Sequence, residues 1–335
     1  MKSIFELLEI LNGCPAPSGR EDAAHKTIEA LIKPYADEIK TDPFGNLIIH
    51  KKGTGKKLML CAHLDTIGFI ATYIDDKGFV RIGAVGGIEK QDSINRPVIF
   101  KNGTKGILSK EEKAELKDAT LSDFFIDLGI QSKEEAEKLV TLGDIALFDG
   151  KPENMGSGVT SPYLDNRLGV ALLLRTLMKN IESKHDLYIV LSAQEEVGLR
   201  GAKSAAYSIQ PNYAIAIDVT DCGGTPGQKE KLPVCIGNGA AIKLMDRAVL
   251  TSKEITAQLE ALAAKNNIKA QREIFLAGGT DAGAIQSSRG GVLTGAISIP
   301  ARYVHSPAEF AAWADIEAAE TLLEALIRTG ITEIK

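Results

Sequence analysis

The 335-residue chain predicts an α/β protein, a doubly wound sheet into which a small β-rich domain is inserted. Three observations lead there. Apolar runs of strand length alternate with helical stretches over residues 1–67 and 159–335, the rhythm of βαβ units in one domain. Between residues 68 and 158 that rhythm gives way to short strands joined by Gly-rich turns, the composition of a separate β-rich insert. Acids and histidines stand where several strand-like runs end, and the carboxyl ends of strands are where open α/β sheets hold their ligands.

Taken in order, residues 1–11 place apolar and charged residues at helical spacing, without the unbroken apolar stretch of a signal peptide. Ser18 and Glu21 have the spacing of a capping box and predict a helix continuing through Ala23, Ile28, Leu31 and Ile32. Residues 39–42 and 47–50 flank the turn cluster Pro43-Phe44-Gly45-Asn46 and read as a hairpin. Residues 57–62 form a buried strand that delivers His63-Leu64-Asp65 at its end. In the insert, 69–74 and 79–85 are a hairpin about the turn at 75–78, with short strands at 97–100, 105–108 and 144–148 and one helix opened by Ser132. Leu168, Ala171, Leu172, Leu174 and Leu177 then carry a helix over 165–181. Strands resume at Tyr188, Tyr213, Val234, Ala270 and Val292, interleaved with helices near 252–264, 281–286 and 315–328.

A net charge of −5, with 25% charged and 44% hydrophobic residues, describes an ordinary globular chain without a basic field for nucleic acid or anionic lipid. No run reaches the ~18 apolar residues of a spanning helix. Cys14, Cys61, Cys222 and Cys235 show neither Cys-x-x-Cys spacing nor the density of a disulfide framework, and read as reduced thiols of a cytoplasmic protein. Their even number leaves pairing open.

The paired acids Glu195 and Glu196 close the apolar run 186–194. Side chains leaving a strand point in different directions, so one carboxylate can hold a cation while its neighbour reaches a water on that cation. His63 ends its strand with Asp65 two residues on, placed to orient the imidazole of a metal ligand. Asp165 opens a helix, Asp218 ends the strand from Tyr213, and His305, one of five histidines, follows the strand from Val292. Singly, each has a plain structural use: solvated loop acids, a core histidine, a helix cap at Asp165. Together they gather along one sheet edge, and their mixed N and O character suits Zn²⁺, Co²⁺ or Mn²⁺ better than Ca²⁺ or Mg²⁺. They exceed what one closed site needs and fit two metals ~3.5–4 Å apart that share a carboxylate and a water.

Six segments carry a family resemblance: Cys61-Ala62-His63-Leu64-Asp65-Thr66-Ile67-Gly68-Phe69, Leu164-Asp165-Asn166-Arg167, Gln194-Glu195-Glu196-Val197-Gly198-Leu199-Arg200-Gly201-Ala202, Ala216-Ile217-Asp218-Val219-Thr220-Asp221, Gly278-Gly279-Thr280-Asp281-Ala282-Gly283 and Arg302-Tyr303-Val304-His305-Ser306-Pro307. Along its whole length the chain resembles the M42 family of metallo-aminopeptidases, glutamyl-aminopeptidase-like enzymes of which some carry the name endoglucanase. The resemblance implies a Zn-peptidase-like α/β domain, residues 1–67 and 159–335, carrying a barrel-like dimerisation domain at 68–158. It implies two divalent ions per subunit, zinc or cobalt, with manganese as an alternative. By motif position His63 and Asp218 would hold one metal, Glu196 and His305 the other, and Asp165 would bridge them. Glu195 would be the general base and Asp65 the partner of His63. Homo-oligomers from dimers to tetrahedral dodecamers, acting on short peptides, are implied as well. Thr66 departs from the family pattern, where Glu is common; the metal set is untouched, and the change bears on substrate preference or on coupling to the insert.

The reaction so implied is hydrolysis of the N-terminal residue, a water bridging the metals attacking while Glu195 passes its proton to the leaving amine. The loop Gly278-Gly279-Thr280-Asp281 either shapes the pocket and donates to an oxyanion or is a turn capped by Asp281. Lys243, Arg247, Arg272, Arg289 and Arg302 are candidates to set a preference for acidic residues. A glycosidase needs acids on opposite sides of a sugar ring, so the adjacency of Glu195 and Glu196, 5% aromatic content and the single Trp313 count against it. A non-catalytic assembly protein with structural metals predicts a missing base, yet Glu195 is present.

Overall fold

The computed structural model describes residues 1–228 and 232–334. One mixed sheet is parallel at its centre, in the order Asp186–Ser192, Lys57–His63, Tyr213–Asp221 and Leu293–Arg302. Leu47–Lys51 and Glu38–Thr41 extend it antiparallel on one side; Glu309–Ala312, Gly158–Ser161 and Glu153–Met155 extend it on the other. Ala240–Met245 also pairs with Leu293–Arg302 and carries Ala270–Ile274 beside it.

Strand alternation decides which way the chemistry faces. Leu58, Leu60 and Ala62, with Tyr213, Ile215 and Ile217, enter the larger core under the helices Ile4–Asn12, Leu164–Met178 and Trp313–Thr329. Met59, Cys61 and Ala214 enter a second core under the helices Arg200–Ile209 and Asp281–Gln286. His63 has the parity of Met59 and Cys61, and Asp218 that of Ala214. Because Ala216 pairs with Cys61, the register brings Asp218 level with His63 on that second face. Leu164–Met178 is buried along nearly all its length because sheet covers one side and helices the other.

The insert is a closed six-stranded antiparallel barrel: Gly68–Ile74, Val80–Val85, Phe124–Asp127, Lys105–Lys110, Arg96–Phe100 and Ile145–Phe148. Alternate residues such as Val80, Val98, Leu108, Phe124 and Ile126 fill it, and Phe69 meets Phe148 edge to face at 5.1 Å. Tyr163 packs into the same core and its hydroxyl accepts the Phe148 N–H, tying the barrel to the turn before Asp165. Among the described residues no helix is long and apolar enough to cross a membrane, and the four cysteines are free.

Several local expectations change. The helix Asp22–Ile32 has no side-chain cap at Ser18 or Glu21; the capping box lies at Ser3 and Glu6, with N–H bonds of 3.2 and 2.6 Å. The strand expected at Val234 starts only at Ala240, after Gly237 and Gly239 turn the chain at φ +85°. The strand from Tyr213 runs past Asp218 to Asp221, and Ser132 opens only the single turn Lys133–Ala136. The sequence pattern marks no element at Arg200–Ile209, Phe124–Asp127 or Glu309–Ala312. Glu153–Met155 pairs with Gly158–Ser161 in the large sheet.

Candidate active site

His63, Asp165, Glu195, Glu196, Asp218 and His305 all face one cleft of about 730 Å³. Asp165 stands at its centre, with Oδ1 2.9 Å from His63 Nε2 and Oδ2 3.4 Å from His305 Nε2. Glu196 approaches His305 Nε2 to 3.2 Å. Asp218 and Glu195 lie on the His63 side, 3.7 and 4.0 Å from its Nε2. Two overlapping donor sets result, His63 with Asp165 and Glu196, and His63 with Glu195 and Asp218, the atoms of each within 4.8 Å of one another.

Neighbours hold each of these groups. His63 Nδ1 donates to the Asp65 carbonyl at 3.0 Å, which leaves Nε2 turned to the cleft and available to a metal. The Asp65 carboxylate is 3.7 Å from that ring and engaged elsewhere: it accepts the Ser18 hydroxyl at 2.6 Å and the N–H groups of Glu195 and Glu196 at 2.9 and 3.2 Å. The main chain of Asp65, rather than its side chain, is thus the nearer partner of the imidazole, while its side chain grips the loop carrying both acids. Glu21 holds the same loop through the Gln194 N–H at 3.0 Å. Gly201 lets the following helix close onto Ala193, since a Cβ there would stand 2.3 Å from the Ala193 carbonyl.

Thr280 donates to Asp218 Oδ2 at 2.7 Å and leaves Oδ1 towards His63. It also occupies the cap position expected of Asp281, which is buried and accepts from Ser192 and Cys61. Glu309, unmarked by the sequence reading, accepts from the main chain of both Asp165 and His305; an acid four residues after a candidate ligand was the available signal. Tyr163, Gln194, Leu199, Tyr303 and His305 all hold left-handed backbone, φ between 56° and 66°, around the cleft. Such strain in non-glycine residues collects where a fold over-determines a functional geometry.

The model of the M42 glutamyl aminopeptidase family matches residues 45–322. The chain belongs to the M42 family. A protein of Acetivibrio thermocellus that carries an aminopeptidase name is 48% identical over 96% of this chain and 98% of its own length. An aminopeptidase of the archaeon Desulfurococcus kamchatkensis superposes with a TM-score of 0.93 at 35% identity, covering 99% and 98% of the two chains. A TET1 peptidase of Pyrococcus horikoshii, described as assembling into a tetrahedron or a large octahedral shell, gives 0.86 at 32% identity over 97% and 99%.

In this M42 chain burial opposes every charge at the cleft, and the neighbours decide the outcome. Burial raises the Glu195 and Glu196 carboxyls, opposed by His63 and His305 respectively; Asp218 is raised by burial to about 7. Burial disfavours the charged imidazoles, yet the surrounding carboxylates push His63 well up and His305 to about 12. Asp165 runs the other way: both imidazoles hold it low against its burial. Carboxylates outnumber cations, and a donor set so crowded with negative charge fits divalent metal.

The cleft walls differ in character. Gly279 lies against Ala248 and Leu199, and Gly278 against Phe275, forming an apolar wall. From the barrel side Gly87 approaches so closely that a Cβ would stand 2.9 Å from His305 Nδ1. Thr66 is buried, its N–H on the Ala16 carbonyl at 3.0 Å. Of the basic candidates, Lys243 and Arg247 line the cleft, whereas Arg272 pairs with Glu260 at 2.6 Å and Arg289 lies over Tyr207. Lys243 is itself neutralised, paired with Glu273 and with Asp246 at 3.2 Å, all three buried. Lys243→Met strands two buried carboxylates, so urea unfolding at neutral pH is expected to show a loss of roughly 3–5 kcal/mol. Unchanged stability would mean that the triad is not charged as a unit.

Proposed function

We propose that the chain is a dinuclear metal-dependent aminopeptidase that removes the N-terminal residue of short peptides. The observation that carries this reading is Asp165, whose two oxygens face two different imidazoles, as a bridging carboxylate requires. His63 and Asp218 would hold one ion and Glu196 and His305 the other, zinc or cobalt by the N and O donor set. Bound there, such ions would supply an acidified water, polarisation of the scissile carbonyl and an anchor for the free α-amine. Glu195 takes the proton from the attacking water and delivers it to the amide nitrogen, which leaves as the amine of the shortened peptide. Asp65 keeps Glu195 in place through its main-chain N–H, and the apolar wall at Leu199, Ala248 and Phe275 receives the first side chain.

Homo-oligomerisation through the barrel and a cytosolic location belong to the same proposal. The first is supported by the assembly described for the TET1 relative, the second by four free cysteines. Chelation tests the whole reading. Removing bound metal is expected to abolish cleavage of aminoacyl chromogenic substrates, and Zn²⁺ or Co²⁺ at two per chain to restore it. Full peptide cleavage after verified metal removal would overturn the proposal. Cellulose or xyloglucan cleavage that survives chelation would favour a glycosidase instead.

A further inference from the structure

Glu309 does not line the cleft, yet it touches the main chain of two residues that do. It opens the strand Glu309–Ala312 and is 2% exposed. Its Oε2 accepts the Asp165 N–H at 2.8 Å and its Oε1 accepts the His305 N–H at 2.9 Å. Both of those N–H groups lie on irregular backbone, Asp165 at φ −78°, ψ 107° inside a helix and His305 at φ +65°, where neither a helix nor a sheet ladder provides an acceptor. One carboxylate therefore sets the separation between the central acid and the histidine beyond it. The register fixes Glu309 in turn: it pairs with Ser161, four residues before Asp165, so the clamp and the residue it clamps hang from adjacent strands.

We propose that Glu309 is a positioning residue for the half-site formed by His305, Glu196 and Asp165, and that it governs how tightly that half-site holds its metal. This rests on the dinuclear reading above. The physical basis is geometric: one buried carboxyl group accepts a main-chain N–H on each of its two oxygens, at 2.8 and 2.9 Å, and so fixes the two donors relative to each other. Losing the clamp releases His305 from a left-handed conformation that costs free energy to maintain, and the ring swings off its aim.

The test is metal binding by chelated protein, with Co²⁺ added in steps and followed by calorimetry and by the visible absorption of the bound ion. The wild-type chain is expected to take up two equivalents. In Glu309→Gln one of the two N–H groups faces an amide NH₂, and the second equivalent is expected to weaken by roughly 10–100-fold while the first stays near its original affinity. Glu309→Asp, too short to reach both N–H groups, is expected to do the same and serves if the amide variant does not fold. Asp315→Asn is the matched control: Asp315 is equally buried and accepts from Gly237 and Gly239 at 2.7 Å, outside the cleft. It should lower the unfolding temperature and leave both equivalents unchanged. A wild-type chain that binds only one ion removes the dinuclear reading itself. Two ions in the wild type with unchanged affinities in both Glu309 variants, or equal weakening of both ions, overturns the assignment of Glu309 to the His305 half-site.

Discussion

Glu195→Gln is expected to lower kcat for aminoacyl substrates by roughly 10²–10⁴-fold with little change in KM, while both metal ions remain bound. The amide has the shape of the acid but cannot take a proton from water. Its backbone stays in place because the Asp65 carboxylate holds the Glu195 N–H at 2.9 Å whatever the side chain carries. Glu195 suits the task electrostatically: burial first, then Asp218, Asp281 and Glu196, raise its proton affinity against the pull of His63. A base must retain a proton once it has taken it, and a carboxylate of ordinary acidity does so poorly at neutral pH. The competing assignment is an exchange of roles with Glu196. The distances oppose it, since Glu196 reaches an imidazole at 3.2 Å and Glu195 only at 4.0 Å. Metal analysis alongside kinetics decides: loss of one ion in Glu195→Gln, with two retained in Glu196→Gln, would reverse the roles.

What the sequence made legible depended on how far each interaction reaches. Parallel strands buried on both faces read as unbroken apolar runs, so the polar residue interrupting such a run, His63 or Asp218, stands out without any knowledge of the fold. The supporting residues are faint because most of their bonds are long-range. Glu309 stands four residues after His305, which is the one local signal, while its other partner, Asp165, is 144 positions away. Ser18 misleads for the same reason: its spacing from Glu21 imitates a cap, while its hydroxyl belongs to Asp65, 47 residues on. Asp65 is next to His63 in sequence, yet its carboxylate is engaged by the loop of Glu195 and Glu196. The helix Arg200–Ile209 escapes detection because no capping side chain announces it: Leu199, in left-handed backbone, stands at its cap position, although Ala202, Ala205, Ala206 and Ile209 share its buried face.

Asp165→Asn is expected to remove both ions together and to reduce activity by roughly 10³-fold or more, since a metal clamp contributes several kcal/mol to the transition state and each decade of rate is about 1.36 kcal/mol. An amide has one oxygen where the carboxylate has two. Whichever way it turns, an NH₂ group confronts either the His63 side, where Oδ1 stands 2.9 Å from Nε2, or the His305 side, where Oδ2 stands 3.4 Å away. On the dinuclear reading neither half of the site survives intact, because the same residue would complete both. The fold should tolerate the change: the Asp165 N–H still reaches Glu309, and the Asn166 amide still donates to the Ile217 carbonyl at 2.8 Å. Thermal unfolding with and without Zn²⁺ separates a lost site from a lost fold. Bound ligand stabilises a folded chain by about 2.7 kcal/mol at a hundred times its dissociation constant, so the wild type should melt higher with metal and the variant should not respond. A variant that keeps one ion at wild-type affinity, and keeps that part of the metal-dependent stabilisation, would show that Asp165 serves a single metal and that the two imidazoles it faces are not joined through it.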